Sequence, residues 1–296
     1  MKRTADTPSR LEETMDRAVK NNPHSKDIID AFRPVLIEKD RLVSTLESPG
    51  GAPLVLDDSR FKEGVPLGGQ NNLFSPDDPW KSVALALIPA IAQGFPAMAD
   101  DLERIRGLLE SGSLDLRDEA DAEPDQTGEL IHEWASTHSI DEQALVFLFH
   151  MAERVILEKK ARDWGKLLEG FPWDRGYCPV CGAAPMIAKI KEGQSARILI
   201  CSQCSHEWSF SRVICPSCGN DKQKTMTYFL VADKTQESTF VCEQCRRYLI
   251  TADRVSDLID FDAQVCALSL VHLDVVMQEK GYTPMAACEW NTLPQE

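Results

Sequence analysis

Cys178-Pro179-Val180-Cys181-Gly182 sets a spacing that returns three times: Cys201-Ser202-Gln203-Cys204, Cys215-Pro216-Ser217-Cys218-Gly219 and Cys242-Glu243-Gln244-Cys245. Eight of the ten cysteines fall in these four pairs, all between Cys178 and Cys245. Two thiolates two residues apart reach one metal ion from a single tight turn, and a second turn completes a four-sulfur shell. Four turns make two sites. The first and third turns carry proline and glycine, and the second and fourth carry a glutamine before the last cysteine, so the segment reads as two copies of one module. In each copy an alternating strand (Arg197–Ile200, Thr239–Val241) runs into the second turn and an aromatic-led strand (Trp208–Phe210, Tyr248–Ile250) leaves it. Proline pre-sets φ in the knuckle, and glycine supplies the positive φ that lets backbone N–H groups point at sulfur. The repeat favours Cys178, Cys181, Cys201 and Cys204 on one metal and Cys215, Cys218, Cys242 and Cys245 on the other. Cross-braced pairing stays open as the alternative.

Competing readings of these cysteines are weaker. A disulfide framework needs an oxidising compartment, and the start Met1-Lys2-Arg3-Thr4 carries no apolar export signal, so a cytoplasmic location is expected. A thioredoxin-type redox pair would be one Cys-x-x-Cys at a helix start. A sulfur tetrahedron suits zinc or a single iron, and Cys-Pro-x-Cys-Gly is shared by zinc ribbons and rubredoxin knuckles. The expected cofactors are therefore two metal ions, zinc or iron, one per site.

A formal charge of −15 over 296 residues argues against nucleic acid as a partner, because phosphates demand basic surface, and thiolate-rich sites add negative charge. Lys189, Lys191, Arg197 and the Arg246-Arg247 pair read as solvated hairpin residues. The apolar run Val83–Ala92 contains Pro89 and is about half the length of a spanning helix. No membrane insertion is expected; a homo-oligomer is compatible with the sequence.

Before Cys178 the pattern changes to helical periods, at about 9–21, 25–46, 80–93, 99–110, 127–137 and 141–169. The last is clearest. Leu145, Leu148, Phe149, Ala152, Val155 and Ile156 recur at helical spacing, acids precede them, and bases follow. Asp77-Asp78-Pro79 marks the start of the core helix at 80–93. Residues 47–79, rich in Gly and Pro, read as a long surface loop, and 111–125 as an acidic break. One more helix is predicted over about 253–280, with Val255, Leu258, Ile259, Val265, Leu268, Val276 and Met277 on its apolar stripe and Gly281 ending it. Cys266 near that stripe reads as a small buried hydrophobe, and Cys288 as inert.

Catalytic residues are expected to be none. His24, His132, His138, His150, His206 and His272 form no ligand or triad pattern, and no phosphate-loop, dinucleotide or nucleophile-elbow motif occurs. His206 lies near Cys204 but the shell is already full. The acidic pairs Asp57-Asp58, Asp77-Asp78 and Asp100-Asp101 sit where capping explains them.

A helical region of about 170 residues is followed by Cys178-Pro179-x-Cys181-Gly182 and by Cys201-x-x-Cys204 with Glu207-Trp208. Arg212-Val213 then precede Cys215-x-x-Cys218-Gly219-Asn220, and Cys242-x-x-Cys245 leads to Tyr248-Leu249 and a closing Gly281-Tyr282. This arrangement resembles the FdhE family of formate dehydrogenase accessory proteins, most closely from Cys178 to Tyr282. The resemblance implies a cytoplasmic, non-catalytic maturation factor with two rubredoxin-like metal modules. Its implied partner is the catalytic subunit of a molybdenum- or tungsten-containing formate dehydrogenase. The chain lacks the glycine that follows Cys204 and Cys245 in some members. The expected fold is multidomain α+β. An all-helical domain at 1–172 precedes rubredoxin-like or zinc-ribbon modules at 173–212 and 213–252, and a C-terminal helix with its tail fills 253–296. The alternative from another class is a rubredoxin-like electron carrier. A nucleic-acid-binding ribbon is the third reading, and the charge speaks against it.

Overall fold

The backbone of the chain, given by a computed structural model, is described for residues 9–47, 54–120, 128–191, 197–232, 234–255 and 261–292. It divides into two compact units. A helical unit comprises Asp30–Val55 and Asn71–Leu167, and a sheet unit comprises Met1–Ile29, Leu56–Gln70 and Leu168–Glu296.

The helices in chain order are α1 (Arg10–Asn21), α2 (Lys26–Thr45), α3 (Asp58–Lys62), α4 (Trp80–Gly94), α5 (Ala99–Ser111), α6 (Leu116–Ala120), α7 (Glu129–His138), α8 (Glu142–Trp164), α9 (Ala263–Ser269) and α10 (Val271–Glu279). Helix α8 is the spine of the helical unit and packs against α4, α5 and α7. All six apolar residues predicted for its stripe are buried, and Asp141 caps it by accepting from the Gln143 N–H. Trp80 stacks on Phe149 at 5.5 Å, and Phe32, Phe95 and Phe147 form a second aromatic cluster. Gly94 permits close approach, since a Cβ there would lie 2.0 Å from the Ala31 carbonyl oxygen.

Two cap assignments fail. Asp100 and Asp101 lie in the first turn of α5, whose N-cap Met98 makes no side-chain hydrogen bond. Asp78 does not cap α4. It is buried and accepts from the Ser75 N–H and from the equally buried Lys160 ammonium. A carboxylate beside an N-terminus normally caps, but a buried cation within reach is the stronger partner.

The sheet unit carries strands β1 (Pro185–Lys191), β2 (Arg197–Cys201), β3 (Glu207–Phe210), β4 (Met226–Val231), β5 (Lys234–Cys242), β6 (Arg247–Val255) and β7 (Thr283–Pro284). Their order is β3-β2-β1-β6-β5-β4, with β7 pairing β6. Each four-cysteine segment contributes an antiparallel three-strand ladder, and parallel pairing of β1 with β6 joins the two ladders into one sheet. The architecture is α+β with two tandem four-cysteine modules.

Three expectations are corrected. Helix 253–280 is too long: β6 runs to Val255 because its ladder with β5 and β1 continues past the knuckle, and α9 and α10 follow as separate helices. Val276 of the predicted stripe is exposed; Leu258 and Ile259 lie outside the described residues. Lys189 and Arg197 are not solvated: they are 4% and 0% exposed, because Lys189 is neutralised by Glu207 at 2.6 Å and Arg197 finds two carbonyls. The loop 47–79 contains α3 and buries Phe61 and Leu67, and α6 lies in the 111–125 break.

Asp274 of α10 is 2% exposed and accepts from the Tyr248 hydroxyl at 2.7 Å. Burial pushes its carboxyl up to about 7, against the hydrogen bonds from Tyr248 and Asn291. A carboxyl whose folded value is raised binds its proton more tightly when folded. Its contribution to stability is present at low pH and is lost as pH rises through about 7. Asp274→Asn removes that loss. The variant should melt higher than the parent at pH 8 by an amount worth on the order of 3 kcal/mol. At pH 4.5 the two should differ little. Melting curves of both proteins at the two pH values check this, and an unchanged difference across them contradicts it.

Candidate metal centres

The eight knuckle cysteines gather into the two sets of four that the repeat favours, and not into cross-braced sets. Within each set all four sulfurs lie within 4.8 Å of one another. In the first, Cys178–Cys204 and Cys181–Cys204 are 3.5 Å apart and Cys181–Cys201 3.4 Å. In the second, Cys215–Cys245 and Cys218–Cys242 are 3.8 Å apart. These distances far exceed a disulfide bond of about 2.05 Å. A tetrahedron with metal–sulfur bonds of about 2.3 Å has edges of about 3.8 Å. The second set matches that figure and the first is slightly contracted, so both donor sets fit a tetrahedral ion.

The backbone is shaped for the same task. Val180 N–H points at Cys178 Sγ at 3.4 Å, and the N–H groups of Gln203 and Cys204 point at Cys201 Sγ at 3.4 and 3.5 Å. Gly182 and Gly219 take φ of 82° and 70°. At the equivalent places after the second and fourth knuckles stand Ser205 and Arg246, and they adopt the same left-handed backbone, with φ of 56° and 57°. That conformation costs a non-glycine residue roughly 1 kcal/mol or more. The geometry is imposed by the knuckle rather than by the residue.

Electrostatics explain why these sulfurs call for a cation. Burial pushes the Cys178, Cys204 and Cys215 thiols well above the usual range. Burial acts on Cys242 too, but the Cys245 N–H, the Asn220 amide and the Gln244 N–H outweigh it and leave that thiol at about 7. Four thiolates this close repel one another, and a bound divalent ion removes the conflict.

The surroundings of the two sets differ. Segment 56–70 covers the first: Leu67 N–H donates to Pro179 O at 2.8 Å, Gly68 N–H to Val180 O at 2.7 Å, and the Tyr177 hydroxyl to Gly64 O at 2.6 Å. Sequence reading gave no hint that this stretch reaches a knuckle beyond its isolated Phe61 and Leu67. Around the second set, Asn220 donates to Cys242 Sγ at 3.5 Å and to Thr225 Oγ1 at 2.7 Å. Its place directly after Cys-Pro-Ser-Cys-Gly was the available signal. Cys218 is exposed and Cys245 half-buried, whereas only Cys181 of the first set is partly open. Gly176, just before the first knuckle, lies against the second: a Cβ there would sit 1.9 Å from Pro216 O.

The other singled-out residues lie outside both sets. Cys266 is half-buried, Cys288 is buried, and neither joins a sulfur cluster. His206 gives its carbonyl to Cys201 N–H and is not among the clustered ligands. His24 and His272 meet at 2.8 Å, a contact across most of the chain that no spacing rule reveals. Among the described residues no helix is long and apolar enough to cross a membrane.

Comparison with known proteins covers parts of the chain in sequence and nearly all of it in fold. A family model described as FdhE, central domain, matches residues 177–212, the span of the first set with its strands. The chain is 31% identical to a protein FdhE homolog of Aquifex aeolicus over 119 residues, covering 37% of this chain and 40% of that one. It is 27% identical over 212 residues to a protein FdhE homolog of Pectobacterium carotovorum, covering 64% of each. Protein FdhE of Escherichia coli is 26% identical over 215 residues, covering 70% of this chain and 63% of that one. The matched stretch spans less than two thirds of each relative's length. The fold agrees with the crystal structure of the FdhE protein from Pseudomonas aeruginosa, at a TM-score of 0.58 over 95% of both chains and 22% identity. In its matched first knuckles and in its fold over nearly the full length, the chain is similar to FdhE proteins.

Proposed function

We propose that this protein is a cytoplasmic accessory factor, without catalysis of its own, that binds the catalytic subunit of a molybdenum- or tungsten-containing formate dehydrogenase and is needed for its activity or assembly. Cys178, Cys181, Cys201 and Cys204 ligate one metal ion, and Cys215, Cys218, Cys242 and Cys245 ligate a second, zinc or iron in each case. Each module, at 173–212 and 213–252, folds about its ion, because so short a segment buries too little core alone. The observation that carries the reading is the pair of sulfur tetrads in one sheet of a chain similar to FdhE proteins. With the ions bound, the modules supply no open coordination position; their chemistry is to hold rigid loops that a partner protein can read.

The test combines two measurements. Tagged protein purified anaerobically from its own host should bring down the formate dehydrogenase catalytic subunit without added formate. Deleting the protein should lower formate oxidation while that enzyme's transcript is unchanged. Normal formate oxidation in the deletion strain, with no paralogue present, contradicts the reading. Exposure of Cys218 favours a second reading, a rubredoxin-like electron carrier with iron at the second site. Reversible ferrous–ferric cycling with electron exchange to a partner distinguishes it.

A further inference from the structure

Arg197, the first residue of β2, belongs to the first module yet touches the second from both sides. Its Nη2 donates to Ser211 O at 2.9 Å and to Ile214 O at 2.8 Å, and Ile214 directly precedes Cys215. Its guanidinium lies 4.9 Å from the centroid of Phe240, two residues before Cys242, and 5.5 Å from that of Phe210. The side chain is fully buried, and beyond the two carbonyls on Nη2 its nearest polar company is the Tyr228 hydroxyl, with no close hydrogen bond at Nε or Nη1. A buried guanidinium whose donors are only partly met is costly unless negative charge lies close by.

The second centre is the charge at hand. Four thiolates around a divalent ion leave two negative charges in excess, and the Asn220 amide that donates to Cys242 is neutral. Burial works against the charged form of Arg197, and the Tyr228 hydroxyl and the Cys215 sulfur act in its favour. Among the described residues no other buried arginine belongs to the sheet unit. The first centre is held instead by backbone bonds from segment 56–70.

We propose that Arg197 is a positioning residue for the second metal centre, fixing the chain on both sides of it and offsetting its charge, so that retention of the second metal depends on a residue of the first module. The proposal rests on the ligand assignment above. Loss of a residue supporting metal ligands characteristically costs about 10–100-fold in metal affinity. Arg197→Met keeps length and apolar bulk but removes charge and donors, and Arg197→Lys keeps charge but loses the fork.

The experiment uses the full-length protein loaded with cadmium. The unaltered protein should show two tetrathiolate cadmium resonances, assigned with the Cys178/Cys181 and Cys215/Cys218 double variants; failure to find two overturns the ligand assignment rather than this proposal. A competing chelator then reads release from each site. In Arg197→Met the second centre should release about tenfold or more faster, with the first within about twofold and Arg197→Lys between Met and the parent. Equal acceleration at both centres, or none at either, overturns the proposal. Should the Met variant fail to fold, the Lys variant decides by the same criterion: faster release confined to the second centre supports it, and any other pattern overturns it.

Discussion

Serine at both Cys215 and Cys218 is expected to remove one of two metal equivalents and to unfold the β4–β5–β6 ladder, leaving the first equivalent in place. Both cysteines start the knuckle that also anchors Asn220, and their sulfurs lie 3.8 Å from those of Cys245 and Cys242. Without them the remaining pair offers two ligands, too few for a closed structural site. The free energy at stake is large. Metal binding to structural thiolate-rich sites is worth roughly 10 kcal/mol or more at neutral pH, and a module of this size has little else to hold it. Serine at Cys178 and Cys181 should remove the other equivalent. Metal analysis of the purified variants, with near-ultraviolet circular dichroism for the ladder, checks both. Two equivalents retained in either double variant would sink the ligand assignment.

The helical unit has a different weak point. Lys160→Met should lower its stability by roughly 3–5 kcal/mol, because one partner of a buried ion pair is removed and the other stays. Lys160 Nζ donates to Asp78 Oδ2 at 2.5 Å and to Leu73 O at 2.8 Å, with side-chain exposures of 3% and 0% for Lys160 and Asp78. The ammonium also lies over the rings of Phe74 and Trp164. Burial lowers the Lys160 value, and the Asp78 carboxylate opposes that shift. Asp78 Oδ1 has no hydrogen-bond partner in the described residues, which leaves the carboxylate poorly provided once the ammonium is gone. Combining Lys160→Met with Asp78→Leu should restore much of the loss, since a well-packed apolar pair replaces a buried ionic one at little cost. Denaturation followed by tryptophan emission reads the effect, and a double variant no better than the single would show that packing, not charge, is what Lys160 supplies.

The modules were legible in the sequence because metal ligation constrains spacing tightly: a Cys-x-x-Cys turn has one geometry, and its repetition orders the pairs. The α8 stripe was legible for a similar reason, being long and strictly periodic. What spacing does not encode is long-range burial. Lys189 and Arg197 look like hairpin surface until Glu207, Ser211 and Ile214 are placed beside them. Leu67, in a run dense in glycine, gives no periodic signal, although it is fully buried and its N–H bonds to the carbonyl of Pro179 in a knuckle far along the chain. The predicted 253–280 helix failed because Val255 fits a helical stripe and a half-buried strand equally well, and only the ladder with β1 and β5 decides between them.

The parallel seam between β1 and β6 has a consequence for assembly. It joins Ala188 of the first module to Thr251 of the second, while each flanking ladder pairs near neighbours. A metal held by Cys215 and Cys245 would cut short the loop that this pairing must close. Loop-closure entropy alone gains little from this, about 0.6 kcal/mol for a halving of loop length. The larger gain is that both edges of the seam arrive already ordered, each on its own ladder. Local ladders therefore form first and the long-range parallel contact forms last, as topology dictates for distant strands. Closure of the seam then requires both ladders to be in place, so the continuous six-strand path is the last part of the sheet unit to be completed.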